Sequence, residues 1–176
     1  GGDLLFSHDG QVSSVLFPER GIISMVACTR EGGEVESGVI GLEGALGLTE
    51  ALALAPMYVR ATVQIPGRAW SAPAQACRDA FHDGPARRAV EAYTQALLAE
   101  ARQSIACQAY HRLEPRLARW LLECRERGEL GQELPLTQEF IAIMLGVQRT
   151  SVNAVMASLE RRGVVSQLSL EAVSGQ

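Results

Sequence analysis

The chain has 176 residues, of which 47% are hydrophobic and 20% are charged, so it can bury one sizeable core or two small ones. Its formal net charge of −4 argues against indiscriminate coating of nucleic acid, so any contact with DNA must come from a local patch. No apolar run approaches the roughly 20 residues of a membrane helix, and no basic segment followed by an apolar one opens the sequence. These features predict a cytoplasmic protein without a membrane partner.

The first part of the chain, residues 1–81, is predicted to be a β domain. Glycines recur at short intervals, and apolar or β-branched runs lie between them: LLF, VSSVLF, IISMV, VESGVI, YVRATVQI and AW. Short runs separated by turn residues are typical of an all-β sandwich or roll.

One long helix is predicted over residues 82–111. Asp83 can serve as its N-cap, Pro85 falls in the first turn, and no further Gly or Pro occurs before Pro115. An apolar stripe follows the helix: Val90, Tyr93, Leu97, Ala101 and Ile105. The helix is longer than the small β domain can cover, so we expect this stripe to meet its copy in a homodimer. The alternative is that the stripe packs on its own β domain.

Residues 112–176 are predicted to carry a helix-turn-helix. A helix in LEPRLARWLLECRERG precedes the stretch TQEFIAIMLGVQRTSVNAVMASLERRGVV, residues 137–165. Thr137 can cap a helix over residues 138–145, and Gly146 can supply the left-handed turn before a second helix over residues 149–162. Ala142 is small where the helices cross. Six apolar side chains are expected in the shared core: Ile141, Leu145, Val147, Val152, Val155 and Leu159.

Polar residues at the start of the second helix predict contact with DNA. The predicted DNA-binding residues are Thr137, Gln148, Arg149, Thr150, Ser151 and Asn153. Arg149 can donate two hydrogen bonds to guanine, and Gln148 and Asn153 can each pair with adenine or bind a phosphate. The Thr137 and Ser151 hydroxyl groups suit phosphate oxygens, and Thr150 can meet a thymine methyl group or make a short polar contact.

All 16 basic residues are arginines, and 12 of them follow residue 77. Four of these are expected to add to the positive surface around the second helix: Arg116, Arg119, Arg161 and Arg162. The alternative for Arg116 and Arg119 is an ion pair with Glu114 or Glu123.

Several segments together resemble a known family. They are ELPLTQEFIAIMLGVQRTSVNAVMASLERRGVV, LARWLL after the long helix, and LLFSHDGQVSSVLFPERGIISMV with GVIGLEGALGL in the first part. Together they resemble the Crp/Fnr (cyclic-AMP receptor protein/fumarate-nitrate regulator) superfamily of bacterial transcription factors. The resemblance implies an α+β protein: an effector-sensing, cyclic-nucleotide-binding-like β roll (jelly roll), a dimerisation helix and a C-terminal winged helix-turn-helix. It also implies double-stranded DNA with a palindromic site, a second copy of the chain and RNA polymerase as partners, with Arg149 as the main base reader.

The effector is less well defined. In family members that bind cyclic nucleotides, backbone amides at a Gly-Glu pair and a downstream Arg neutralise the phosphate, while the Glu holds the ribose hydroxyl. The counterparts here are Gly41, Glu43, Gly44, Arg60 and Ala61, with Leu42 between the first Gly and the Glu. In the other interpretation the glycines only make turns and Arg60 pairs with Glu43 or Glu50. We therefore expect a small-molecule or nucleotide effector that the sequence does not identify, and no metal ion.

The wing of the predicted winged helix is also atypical. After Val165 the family usually shows a short basic hairpin, whereas this chain continues with SQLSL. Either the wing is short or residues are absent from this sequence. Thr150 occupies a position where several relatives carry Glu, so their consensus site does not carry over.

Two other classes of function have weaker support in the sequence. An enzyme is not expected, because no P-loop, nucleophile elbow or HExxH motif occurs, and His8, His82 and His111 lie far apart. The cysteines show no CxxC pairing and are expected to be reduced thiols: Cys28, Cys77, Cys107 and Cys124. A regulatory or interaction dimer that binds no DNA stays open because the chain is acidic overall.

Overall fold

The computed structural model describes residues 3–128 and 133–166, and within them four strands and six helices. The strands are β1 (Leu4–Phe6), β2 (Ser14–Cys28), β3 (Glu34–Ile40) and β4 (Arg60–Pro73). The helices are α1 (Leu48–Ala53), α2 (Ala74–Ala80), α3 (Gly84–Tyr110), α4 (Leu113–Arg127), α5 (Gln138–Leu145) and α6 (Arg149–Arg161). The α+β class predicted from the sequence is confirmed.

The four strands form one antiparallel sheet in the order β1-β4-β2-β3. β2 and β4 pair from one end to the other, with register shifts between Pro18 and Ile23. Such shifts bend a two-stranded ribbon, and a bridge between Leu16 and Leu46 ties it to the loop before α1. The runs VSSVLF and IISMV, which read as separate strands, therefore belong largely to one bent strand.

Two short helices lie inside the region predicted to be all β. α1 packs through Leu48 and Ala51, and α2 packs through Ala74 and Cys77, in one cluster with Val15 of β2. These helices have six and seven residues. Fewer than two turns are too short for a 3.6-residue period to show in a sequence.

The first half of α3 packs on the roll of its own chain. Val90 is buried in the cluster that contains α1 and α2. The Tyr93 hydroxyl accepts a hydrogen bond from the Ala45 N–H at 3.1 Å. Both side chains thus pack against their own chain. The prediction that Val90 and Tyr93 face a second copy is therefore corrected.

The second half of α3 has a different exposed face. Leu97 and Ala101 are half-buried, whereas Ile105 is 68% exposed and Leu98 is 40% exposed. Ile105 and Leu98 are seven residues apart and share a helical face. Ile105 therefore belongs both to the predicted stripe and to this exposed face.

The C-terminal helices share one core with the sheet. Val26 and Ile65 of the strands lie in the same cluster as Leu117 and Trp120 of α4 and Met144 of α5. The predicted limits at residues 81/82 and 111/112 fall between α2 and α3 and between α3 and α4. The shared core contains residues from before the first limit and after the second, so it does not separate the chain at either one. Both limits stay predictions.

Candidate DNA interface

The turn between α5 and α6 forms as the sequence predicts. The Thr137 side chain caps α5 by accepting a hydrogen bond from the Phe140 N–H at 3.1 Å. Gly146 has φ 63° and ψ 40°, the left-handed region that favours glycine. Its N–H and that of Val147 bond back to carbonyls near the end of α5. The two helices are bent by 113° relative to each other, within the usual range for a helix-turn-helix.

The predicted core of the helix pair is confirmed. Four of the six predicted side chains are buried: Ile141, Leu145, Val152 and Leu159. Val147 and Val155 are partly buried against the same cluster. Ala142 is only 4% exposed, as expected for a small residue under a crossing helix. This packing fixes which face of α6 points away from the protein.

The outward face of α6 and the segments beside it carry the predicted DNA-binding residues. All six are exposed: Thr137, Gln148, Arg149, Thr150, Ser151 and Asn153. Arg149 is the first residue of α6, and its side chain has no hydrogen bond or ion pair within the described residues. No side chain caps the start of α6, and the Ser151 N–H bonds to the Gln148 carbonyl. The N–H groups of Arg149 and Thr150 have no acceptor among the described residues and are free for a phosphate.

Three of the four additional arginines bond to other groups of the same chain. Arg116 donates to the Leu145 carbonyl at 2.6 Å, so it closes the C-terminal end of α5. Arg119 lies 3.7 Å from Glu123. Arg162 is ion-paired with Glu114. Of the four, Arg161 keeps an exposed side chain without a partner among the described residues.

A polar junction between the roll and the helix-turn-helix was not predicted. Glu36 of β3 accepts a hydrogen bond from Trp120 Nε1 of α4 at 2.6 Å, and its other oxygen pairs with the Ser24 hydroxyl of β2. Burial raises the pKa of Glu36 to about 8. A small cavity beside it is lined by residues of β3, α3, α4 and α5. No local sequence pattern could reveal this contact, because its partners come from different elements.

The predicted effector residues form two separate groups: Gly41, Glu43 and Gly44 lie in one loop, and Arg60 and Ala61 lie in β4. A Cβ at Gly44 would lie 2.6 Å from the Tyr93 hydroxyl, and one at Gly41 would lie 2.5 Å from the Arg127 carbonyl. Glu43 accepts a hydrogen bond from the Gly41 N–H at 3.0 Å and lies 3.3 Å from Arg127 Nη1. The space around this loop is therefore filled by α3 and α4.

Arg60 lies elsewhere in the roll. It forms a two-pronged ion pair with Glu34, with one contact at 2.6 Å, and so pairs with neither Glu43 nor Glu50. Ala61 beside it is fully buried. Arg60 pairs with Val26 of β2, whereas Ile40, the residue before Gly41, pairs with Ile23 of β2. The two levels are three residues apart along β2, which is about 10 Å. The predicted pairing of Arg60 with Glu43 or Glu50 is therefore wrong, and a role for Arg60 in an effector site stays a prediction.

Other site classes have little support in residues 3–128 and 133–166. No group of three or more His, Cys, Asp or Glu residues there could hold a metal ion. The four cysteines are free thiols, and only Cys28 is exposed. Within the same residues no single helix is long and apolar enough to cross a membrane; α5 and α6 pass that test only as a sharply bent pair. The predicted wing after Ser166 lies outside the described residues.

Comparison with known proteins agrees with this geometry. The family model of the Crp-like helix-turn-helix domain matches residues 115–172. A comparison with curated protein sequences gave no match.

Solved structures match over nearly the whole chain. FixK2 from Bradyrhizobium japonicum has a TM-score of 0.80 at 17% identity, covering 96% of this chain and 85% of its own. The CRP-family regulator TTHB099 from Thermus thermophilus has a TM-score of 0.78 at 18% identity, covering 96% and 86%. The CRP/FNR-family regulator TTHA1359 from the same organism has a TM-score of 0.74 at 23% identity, covering 96% and 87%. The chain thus has the fold of these CRP/FNR-family transcriptional regulators, and its residues 115–172 match the Crp-like helix-turn-helix domain.

Proposed function

We propose that this protein is a sequence-specific transcriptional regulator that binds a palindromic promoter site as a homodimer. The observation that carries the proposal is the unpartnered Arg149 at the exposed start of α6, directly after the left-handed turn at Gly146, among the residues that the structure describes. In a helix-turn-helix, this end of the second helix enters the major groove. Regulation takes place in the cytoplasm through DNA and RNA polymerase, and we infer no catalytic role.

Side-chain chemistry indicates which residues contact bases and which contact phosphates. Arg149 is the proposed guanine reader, because a guanidinium can donate two hydrogen bonds to O6 and N7. Gln148, Thr150 and Asn153 stand near bases, whereas Ser151 and the free amides of α6 hold phosphate oxygens. The Thr137 hydroxyl oxygen accepts the hydrogen bond that caps α5. Because Thr137 is exposed, the same hydroxyl group can still donate its proton to a phosphate oxygen.

The dimer is proposed to form along the exposed face of α3. Leu98 and Ile105 lie on that face, and both are exposed in the described chain, Leu98 to 40% and Ile105 to 68%. A parallel contact there would place the two α6 helices on the same side of the dimer, as a palindromic site requires.

The roll is proposed to control DNA binding in response to an unidentified small-molecule or nucleotide effector. The support is the continuous core between the sheet and α4, α5 and α6. A displacement of the strands would move the helix that precedes the turn at Gly146. The separated positions of Arg60 and Gly41 give no support to a cyclic-nucleotide site of the usual kind.

Selection of bound duplexes from a random DNA pool tests the proposed function. We expect enrichment of a two-fold symmetric site, bound at least about 10³-fold more tightly than a scrambled duplex. Affinity for either duplex should fall as salt rises, because phosphate contacts release counterions. A chain that only interacts with other proteins would enrich no sequence.

Arg149→Ala tests the reading residue. We expect a loss of about 1–3 kcal/mol at one guanine position in each half-site, with relaxed preference there. Arg88→Ala is the matched control, because Arg88 is also exposed but lies at the start of α3. An equal loss on all duplexes would show that Arg149 touches only phosphate.

A further inference from the structure

One carboxyl group links three elements of the fold. Glu36 of β3 accepts a hydrogen bond from Trp120 Nε1 of α4 at 2.6 Å, and it pairs with the Ser24 hydroxyl of β2. The same Ser24 oxygen lies 3.1 Å from Met144 Sδ of α5. We call these four residues the Glu36 junction. It connects the roll to the helix that ends at the Gly146 turn.

Counting protons shows which form of Glu36 fits the junction. A serine hydroxyl has one proton to donate, yet Ser24 has two acceptors beside it, the Glu36 oxygen and Met144 Sδ. If Glu36 is ionised, Ser24 can satisfy only one of them. If Glu36 is neutral, its own O–H donates to Ser24, and the Ser24 proton is free for Met144. Trp120 donates to the other oxygen in both forms.

The surrounding charges also favour the neutral form. Glu100 of α3 and Glu123 of α4 face the same cavity as Glu36. Arg127 ion-pairs with these two carboxylates at 2.7 and 3.0 Å. Arg119 lies near Glu123, Arg116 bonds the Leu145 carbonyl, and the Cys124 thiol is buried nearby. None of these arginines forms an ion pair with Glu36 within the described residues.

We propose that the Glu36 junction is a proton-linked latch, which holds α5 and the recognition helix α6 against the roll while Glu36 is protonated and releases them when it ionises. The latch is a property of the folded chain. Its effect on DNA rests on the proposed function, because it acts on the orientation of α6.

The direction of the pH dependence follows from the environment of Glu36. The pKa of Glu36 is raised from 4.5 to about 8, and burial is the largest cause. The hydrogen bonds from Ser24 and Trp120 lower this pKa, whereas the Glu123 and Glu100 carboxylates raise it. When the junction opens to water, the pKa returns to its ordinary range. The closed form therefore binds one more proton, and its stabilisation is complete below about pH 4.5 and is lost as the pH rises to about 8. Higher pH opens the latch.

Hydrogen exchange on the full chain measures the latch without DNA. We expect protection of amides in β3 and α5, corrected for the intrinsic exchange rate, to fall by about tenfold per pH unit between about pH 6 and 8. Amides of α2 provide an internal reference, because they belong to the other core cluster. They should show no such slope.

Glu36→Gln is the decisive variant. Its amide can accept from Trp120 and donate to Ser24 at every pH, so the slope should disappear while α5 stays protected. Glu126→Gln is the matched control: Glu126 is exposed on the same helix as Trp120, and this variant should keep the wild-type slope.

Several results would overturn the latch. They are a flat wild-type profile, an equal slope in α2, or a Glu36→Gln profile like that of the wild type. Should Glu36→Gln not fold, the first two comparisons still decide. If the junction opens with pH but affinity for the selected duplex does not follow, the regulatory step is wrong. If no duplex is ever bound, the proposed function fails, whereas the exchange result stands.

Discussion

Gly146 meets two requirements at one position. Its backbone lies at φ 63°, which costs a residue with a Cβ about 1–2 kcal/mol. An added Cβ would also lie 3.3 Å from Val35 Cγ2, so the turn is pressed against β3 of the roll. The same residue therefore sets the angle of the helix pair and its distance from the sheet.

Gly146→Ala is expected to lower the free energy of unfolding by at least about 1–2 kcal/mol, as measured by urea denaturation. Gly163→Ala is a close control, because Gly163 has φ 68° but an added Cβ there would meet no neighbour among the described residues. Backbone strain alone should appear at Gly163, and the excess loss at Gly146 measures the contact with Val35. Equal stability of wild type and Gly146→Ala would contradict this account of the turn.

At the scale of elements, α3 divides its surface between the roll and solvent. Val90 and Tyr93 face the roll, whereas Leu98 and Ile105 stay exposed on another face. Since both sets recur at helical spacing, the sequence could not tell which one faces its own chain. The position of the roll decides between them.

Ile105→Glu is expected to weaken the proposed dimer by about 100-fold or more, because each dimer would lose two buried isoleucine side chains and gain two charges. Analytical ultracentrifugation over a range of concentrations measures this change. Ala96→Glu is the control, since Ala96 is also exposed on α3 but points away from the face of Leu98 and Ile105. A dimer that tolerates Ile105→Glu would have to use a different surface.

The elements also differ in how far local sequence predicts them. α5, its Thr137 cap, the Gly146 turn and α6 were all predictable, because capping and left-handed glycine are local effects. α1 and α2 were not, since so few residues show no period. Arg60 pairs with Glu34, which lies 26 positions away in the sequence, and Glu36 pairs with Trp120, which lies 84 positions away. Such contacts depend on the register of the sheet and the docking of α4, which the sequence does not display.

At the scale of the whole molecule, one core runs from the sheet into the helix-turn-helix. The chain carries a net charge of −4, so the proposed affinity for DNA would have to come from the few groups presented at the start of α6 rather than from a general positive field. If the dimer is held through α3 and each α6 is held by its own roll, the distance between the two recognition helices is fixed by folding. The spacing of the two half-sites should therefore matter as much as their sequence.

Altered operators test this rigidity. Two major grooves on one face of DNA are separated by about 34 Å, one helical turn. Inserting about 5 bp between the half-sites of the selected duplex rotates one by roughly half a turn, so we expect affinity to fall to that of a single half-site. The same insertion outside the half-sites should change nothing. Gel-shift titrations of the three duplexes make the comparison, and equal affinity for all of them would mean that each recognition helix binds independently of the other.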